Sequence, residues 1–141
     1  MNTKTQQLQE FMEVRFLCVI STVGEDSRPE SAYVGYTSNA HREIIIGTSN
    51  QSRKYQNVTR NKSVAIVIAD TTGEVQYEGE AEVITPDTYD KLIAENSFKA
   101  LPGLEKYRND PTQVYLHVRP TWVRFILHGD PDQIEEFTEF K

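Results

Sequence analysis

The sequence predicts a mainly β fold with short helices, a β-dominated barrel trimmed by α segments. Three features carry this reading. Six or seven segments are of strand length and apolar or alternating, one sharp hairpin signal (Asp70-Thr71-Thr72-Gly73) joins two of them, and helical spacing is confined to three or four short stretches. A chain of 141 residues suits one domain over positions 1–141, large enough to bury roughly two thirds of its unfolded surface.

In chain order, Leu8, Phe11 and Met12 recur at helical spacing and predict an amphipathic helix over 5–14. Residues 16–23 follow as a strand, apolar almost throughout and so expected to be buried on both faces. Positions 24–29 compose a turn. Residues 30–37 alternate, with Ser31, Tyr33 and Gly35 on one face and Ala32, Val34 and Tyr36 on the other. Gly35 in mid-strand fits either a bulge or the close approach of a flat ligand or another chain. Residues 43–48 form a third strand, and a helix over 52–60 ends at Asn61, a residue that tolerates a left-handed stop. Residues 63–69 read as a buried strand. Gly73 suits a positive φ in the hairpin, and the next strand is the cleanest in the chain: Val75, Tyr77, Gly79, Ala81 and Val83 alternate with Glu74, Gln76, Glu78, Glu80 and Glu82. The glutamates make a solvated face rather than a metal site. Thr85-Pro86-Asp87 starts a helix. Residues 97–111 are irregular, a length that suits a lid or a covering loop, and Phe98, Leu101 and Leu104 there need burial, for which a second chain is one means. Residues 112–119 form a strand that Pro120 breaks, residues 122–127 form the last strand, and Asp130-Pro131 caps a final helix docked by Ile134 and Phe137.

Composition limits the function. A net charge of −6 argues against general binding to nucleic acid or anionic membranes, and no apolar run reaches membrane-spanning length. The N-terminus lacks the apolar core of a secretory signal. The single cysteine, Cys18, excludes an internal disulfide, fits a reducing cytoplasmic setting, and sits in an apolar run as an inert core residue. The three histidines are scattered, His41 in a polar loop among them. No metal-ligand spacing and no Ser/His/Asp or Cys/His arrangement appears, so chemistry here falls to a cofactor.

The most informative stretch runs from Ile44 to Asn57. Three β-branched residues and Gly47 lead into Thr48-Ser49-Asn50-Gln51-Ser52, hydroxyl and amide side chains that cap helices and fill turns, and then Arg53 and Lys54 open a helix. Two cations in a first helical turn oppose the helix dipole, by roughly 0.3–1 kcal/mol each when exposed. A bound phosphate reverses the sign, because backbone N–H groups, hydroxyls and both cations then converge on it. Solvated surface charges account for the same pattern. No multi-glycine phosphate cradle is present.

Gly47-Thr48-Ser49 through Ser52-Arg53-Lys54, then Asn57 and Arg60-Asn61, flanked by Ser21-Thr22-Val23 with Arg28-Pro29 and by Glu78 to Val83, resembles the pyridoxamine 5'-phosphate oxidase-like split-barrel flavoproteins. The likeness covers roughly residues 11–126, and is nearest to short members of the general-stress-protein type. It implies a six-stranded antiparallel split β-barrel, a single FMN-binding domain, and a homodimer with cofactor sites at the subunit interface. Family members usually have glycine where Ser27 stands. By the resemblance, Ser52, Arg53 and Lys54 hold the FMN phosphate, Thr48 and Ser49 reach the ribityl chain or phosphate, and Ser31, Ala32, Tyr33 and Val34 line the flavin ring. Trp122 and Arg124, in the order Trp-Val-Arg, are similar to the segment that completes the site from the partner subunit. The function implied is an FMN-dependent oxidoreductase acting on an unidentified small molecule. The alternative is a non-catalytic protein of the stress response that binds flavin, deazaflavin or haem. Pyridoxamine phosphate oxidation itself needs a second basic cluster for the substrate's phosphate, and Arg108, Arg119 and Arg124 are scattered along the chain.

Overall fold

The computed structural model describes residues 3–140. Eight strands form one antiparallel sheet: β1 (Leu17–Val23), β2 (Pro29–Gly35), β3 (Thr37–Ser38), β4 (Ile44–Ser49), β5 (Ser63–Asp70), β6 (Gly73–Ile84), β7 (Gln113–Leu127) and β8 (Gln133–Phe137). They lie in the order β2-β1-β5-β6-β7-β4-β3, with β8 beside β7 on the edge it shares with β4. The helices are α1 (Thr3–Glu13), α2 (Arg53–Arg60) and α3 (Pro86–Ala94). The count exceeds the expected six strands because the second strand splits in two and β8 is added. Tyr36 marks that split: β2 pairs with β1, whereas β3 pairs with β4. The chain thereby curls the sheet into a half-barrel whose ends meet at Tyr36 and part beyond it.

The core fills the curl. Ile20, Ile44, Ile46, Ile66, Ile68, Val75, Leu116, Val118 and Val123 are at most 1% exposed. Helix α1 inserts Leu8, Phe11 and Met12 at one end, where the Tyr36 hydroxyl donates to the Met12 carbonyl at 2.5 Å. Helix α2 closes the opposite end with Val58 and Asn57. Cys18 is 2% exposed and burial pushes its thiol up to about 12, as an inert core cysteine requires.

Several local expectations are corrected. Strands β1 and β5 are buried on one face only: Cys18 and Ile20, Val64, Ile66 and Ile68 point inward, while Leu17, Val19 and Val67 are about two-fifths exposed on the outside. Asn61 is extended (φ −144°), not left-handed, because the chain passes directly into β5. Gly73 does not adopt a positive φ; a Cβ there would meet the Ile126 carbonyl at 2.4 Å, so close strand approach requires the glycine. Ser27, in contrast, has φ 61°, the region glycine favours. Pro120 does not end its strand. Residues 119–122 of β7 lie between the stretch paired with β4 and the stretch paired with β8, so no neighbour on that edge requires the missing N–H. The segment after Pro131 is a strand, not a helix, because the open edge of β7 pairs with it. Phe98 and Leu101 are buried within the chain itself, with Ile45, Ile84, Tyr89 and Tyr115 beneath α3; the Leu104 side chain lies outside the described residues.

Arg15 latches α1 to the β5–β6 hairpin, with its Nε 2.9 Å from Asp70 Oδ2 and its Nη2 3.0 Å from Thr72 Oγ1. Hydrogen bonds from Thr72 and Arg15 hold the Asp70 carboxyl down at about 2, against 3.8 ordinarily. A depressed carboxylate stabilises the fold above its unfolded pKa and loses that contribution as pH falls through the folded value. Asp70→Asn is therefore expected to lower the thermal midpoint at neutral pH. The gap from wild type should close between roughly pH 4 and pH 2; a gap constant over that range would exclude the latch.

Candidate functional site

The split between β2 and β4 is a cleft of about 300 Å³, lined by Val34 and Gly35 from β2, by Gly47, Thr48 and Ser49 from β4, and by residues of the segment 101–113. Both strands are unpaired along this gap, so each presents backbone N–H and C=O groups to whatever enters. A Cβ on Gly35 would make only an ordinary 3.6 Å contact with the Phe16 carbonyl. Packing within the chain therefore does not demand glycine there, and its bare face is left to the cleft. A Cβ on Gly47 would stand 2.8 Å from Gln113 Nε2, the mobile end of a side chain, with ordinary contacts to Leu101 and Tyr115.

At its far end β4 turns into α2. Ser52 is the N-cap, and its Oγ accepts from Tyr55 N at 3.1 Å and from Thr48 Oγ1 at 2.8 Å, which leaves the Ser52 proton to be donated. Ser49 Oγ bonds Thr112 Oγ1 at 3.1 Å and accepts from Gln51 N at 3.1 Å. The two cations differ. Arg53 is 70% exposed with its Nη1 3.1 Å from Glu30 Oε2. Lys54 is half-buried and has no carboxylate or hydrogen-bond partner among the described residues; burial and the neighbouring Arg53 both lower its pKa. A partly desolvated, unpaired ammonium beside a second cation is costly unless an anion joins it.

Helix α2 is held at this angle by Asn57, which is 2% exposed. Its Nδ2 donates to Thr22 Oγ1 at 2.9 Å and to Glu30 Oε1 at 2.7 Å, and its Oδ1 accepts from Arg60 Nη2 at 2.8 Å.

Thr48, Ser49 and Val34 thus meet in one cleft, and Ser52, Arg53 and Lys54 follow at its basic turn. Ala32 faces inward. Ser31 and Tyr33 lie on the outer face of β2, with Ser31 Oγ 2.8 Å from Ser21 Oγ. Trp122 and Arg124 occupy the same outer face but four strands away, on rows that run Ser31–Ser21–Ala65–Glu78–Trp122 and Tyr33–Val19–Val67–Gln76–Arg124. At about 4.8 Å per strand the path along the curled sheet is roughly 19 Å. Neither side chain lines the cleft.

The family match spans most of the chain. Residues 5–127 match the family described as pyridoxamine 5'-phosphate oxidase. The chain belongs to that family. Among curated proteins, none matches the sequence. Solved structures with the same family fold include a protein related to general stress protein 26, of the pyridoxinephosphate oxidase family, from Clostridium acetobutylicum, at TM-score 0.76 and 15% identity over 98% of this chain and 96% of that one. A pyridoxamine 5'-phosphate oxidase-related, FMN binding protein from Nostoc punctiforme matches at TM-score 0.63 and 15% identity, covering 97% of this chain and 90% of that one. A heme binding protein from Mycobacterium smegmatis matches at TM-score 0.71 and 15% identity over 95% of this chain but 56% of its own length. These likenesses establish the split-barrel fold shared across the pyridoxamine 5'-phosphate oxidase family.

The sequence marked residues 97–111 as a lid or covering loop and Leu101 as needing burial, but it singled out neither Pro102, Tyr107, Asp110 and Gln113 as cleft wall nor any role for Glu30. One signal was present: Asp110-Pro111-Thr112 repeats the Asp-x-Thr turn of residues 70–72, with Asp110 Oδ1 accepting from Thr112 N and Oγ1. Removing the buried amide of Asn57 leaves Thr22 Oγ1 and Glu30 Oε1 without the donor they share. Asn57→Ala should accordingly destabilise the fold by about 1–3 kcal/mol in denaturant titration; an unchanged midpoint would show that α2 is held by Val58 packing alone.

Proposed function

We propose that the cleft binds FMN and that the protein is an oxidoreductase acting on an unidentified small molecule. The observation that carries this reading is Lys54, a half-buried ammonium without a carboxylate partner among the described residues, at the turn that ends the cleft. Ser52 and Lys54 would hold the phosphate, with Arg53 sharing it with Glu30. Thr48 and Ser49 border the ribityl chain, and the unpaired edges of β2 and β4, with Val34 and Gly35, border the ring. The flavin supplies hydride or electron transfer when bound. The chain's own residues bind and orient it, and the wall from Leu101 to Gln113 excludes water from one side. No histidine lines the cleft among the described residues, which favours a flavin over a histidine-ligated haem there.

The same reading includes a homodimer. Phe16, Leu17, Val19, Tyr33 and Val67 form an outer apolar face, 38–70% exposed, that nothing among the described residues covers. A second copy docked isologously on it would bury these residues. Trp122 and Arg124 lie on that face, and the Nε of Arg124 is buried without a hydrogen-bond partner in the single chain. Across a two-fold axis they could meet the partner's β2 and its cleft.

The test is the visible spectrum of the purified protein, with the mass of any small molecule released on unfolding. A flavin spectrum and released FMN are expected; released haem or deazaflavin, or failure to take up added FMN, would overturn the assignment. Lys54→Ala should weaken FMN binding at least about tenfold, the scale of a lost charge-assisted hydrogen bond, with a smaller loss for Arg53→Ala and little change for riboflavin. For the assembly, Val19→Glu is expected to convert dimer to monomer in sedimentation, and a wild-type monomer would remove the shared-site reading.

A further inference from the structure

We infer that Glu30 limits how strongly the basic turn holds a phosphate; this rests on the FMN reading and assigns a role within the same site. The Glu30 carboxylate spans two partners, Arg53 Nη1 at 3.1 Å from Oε2 and Asn57 Nδ2 at 2.7 Å from Oε1. In the free protein it compensates one of the two cations of the turn. An arriving phosphate must therefore share Arg53 with a carboxylate already in place, and it brings further negative charge beside that carboxylate.

The carboxylate is not free to swing aside. Asn57, which holds it, is itself fixed between Thr22 and Arg60, and Arg60 is tied by its Nη1 to Glu25 Oε1 at 2.9 Å. Gly24 keeps the space open, because a Cβ there would stand 3.0 Å from the Glu30 carboxyl carbon. Glu30 is thus a fixed competitor built into the scaffold that aims α2. It acts through Arg53 and on charge alone, so its effect falls on a phosphorylated ligand and not on a neutral one. Lys54, with no such competitor, becomes the decisive cation.

Flavin fluorescence titrations with FMN and with riboflavin, on wild type and on Glu30→Gln, separate the possibilities. Removing one partly exposed like charge should tighten FMN about three- to tenfold, leave riboflavin unchanged, and give a gain that shrinks as salt is raised. Glu30→Ala removes the same charge without placing an amide beside Asn57, so the FMN-to-riboflavin ratio should move in the same direction should Glu30→Gln fail to fold. Equal FMN affinity in variant and wild type, or a parallel change for both flavins, would overturn the inference. A wild type that binds FMN no better than riboflavin would instead sink the phosphate reading on which it rests.

Discussion

A single buried amide organises the end of this domain that α2 closes. Asn57 joins α2 to β1 through Thr22 and to β2 through Glu30, and its carbonyl oxygen takes Arg60 from its own helix. The amide itself is buried and its bond to Thr22 is out of reach of solvent, where leaving a polar group unpaired costs more than the bond contributes. The helix is only eight residues long and has few apolar side chains with which to choose an orientation. Its angle, the turn before it and the position of the two cations all follow from where that amide can be satisfied.

What the sequence made legible was local. The alternation of β6 survives intact, with Val75, Tyr77 and Ala81 buried and Glu78, Glu80 and Glu82 exposed, because a two-residue period needs only neighbouring positions to be read. The cap at Thr85 is equally local and stands as expected, and Ser52, read as the first residue of its helix, is that helix's cap. The errors came where distant chain decides. Ile134 and Phe137 have helical spacing, yet an open strand edge overrode it. The apolar runs of β1 and β5 could not disclose that one of their faces stays exposed among the described residues, since an exposed apolar side chain reads in sequence the same as one in a core.

The site divides along the same line. Its basic turn was legible because strand, hydroxyls, cations and helix are contiguous from Ile44 to Asn57. Its wall was legible only as an irregular segment of lid length, because Leu101, Tyr107 and Asp110 meet β4 only through the fold of that segment. Glu30 escaped notice for a third reason. A lone glutamate opening a strand carries no pattern, and its meaning arises only when Arg53 and Asn57, more than twenty residues on, close upon it.

The irregularity between Glu78 and Gly79 has a further consequence for β7. Gly79 pairs with Pro120 and Glu78 with Trp122, so Thr121 is an extra residue without a counterpart on β6. Before it, even-numbered side chains such as Leu116 and Val118 face the core; after it, odd-numbered ones, Val123 and Phe125, do. Thr121 is a shift of reading frame in the pleat itself. Its hydroxyl donates to the Glu78 carbonyl at 3.2 Å, and the bulge keeps the count: were the ladder to run on unbroken, with Thr121 opposite Glu78, Trp122 and Arg124 would turn inward and Val123 and Phe125 would be driven out to solvent.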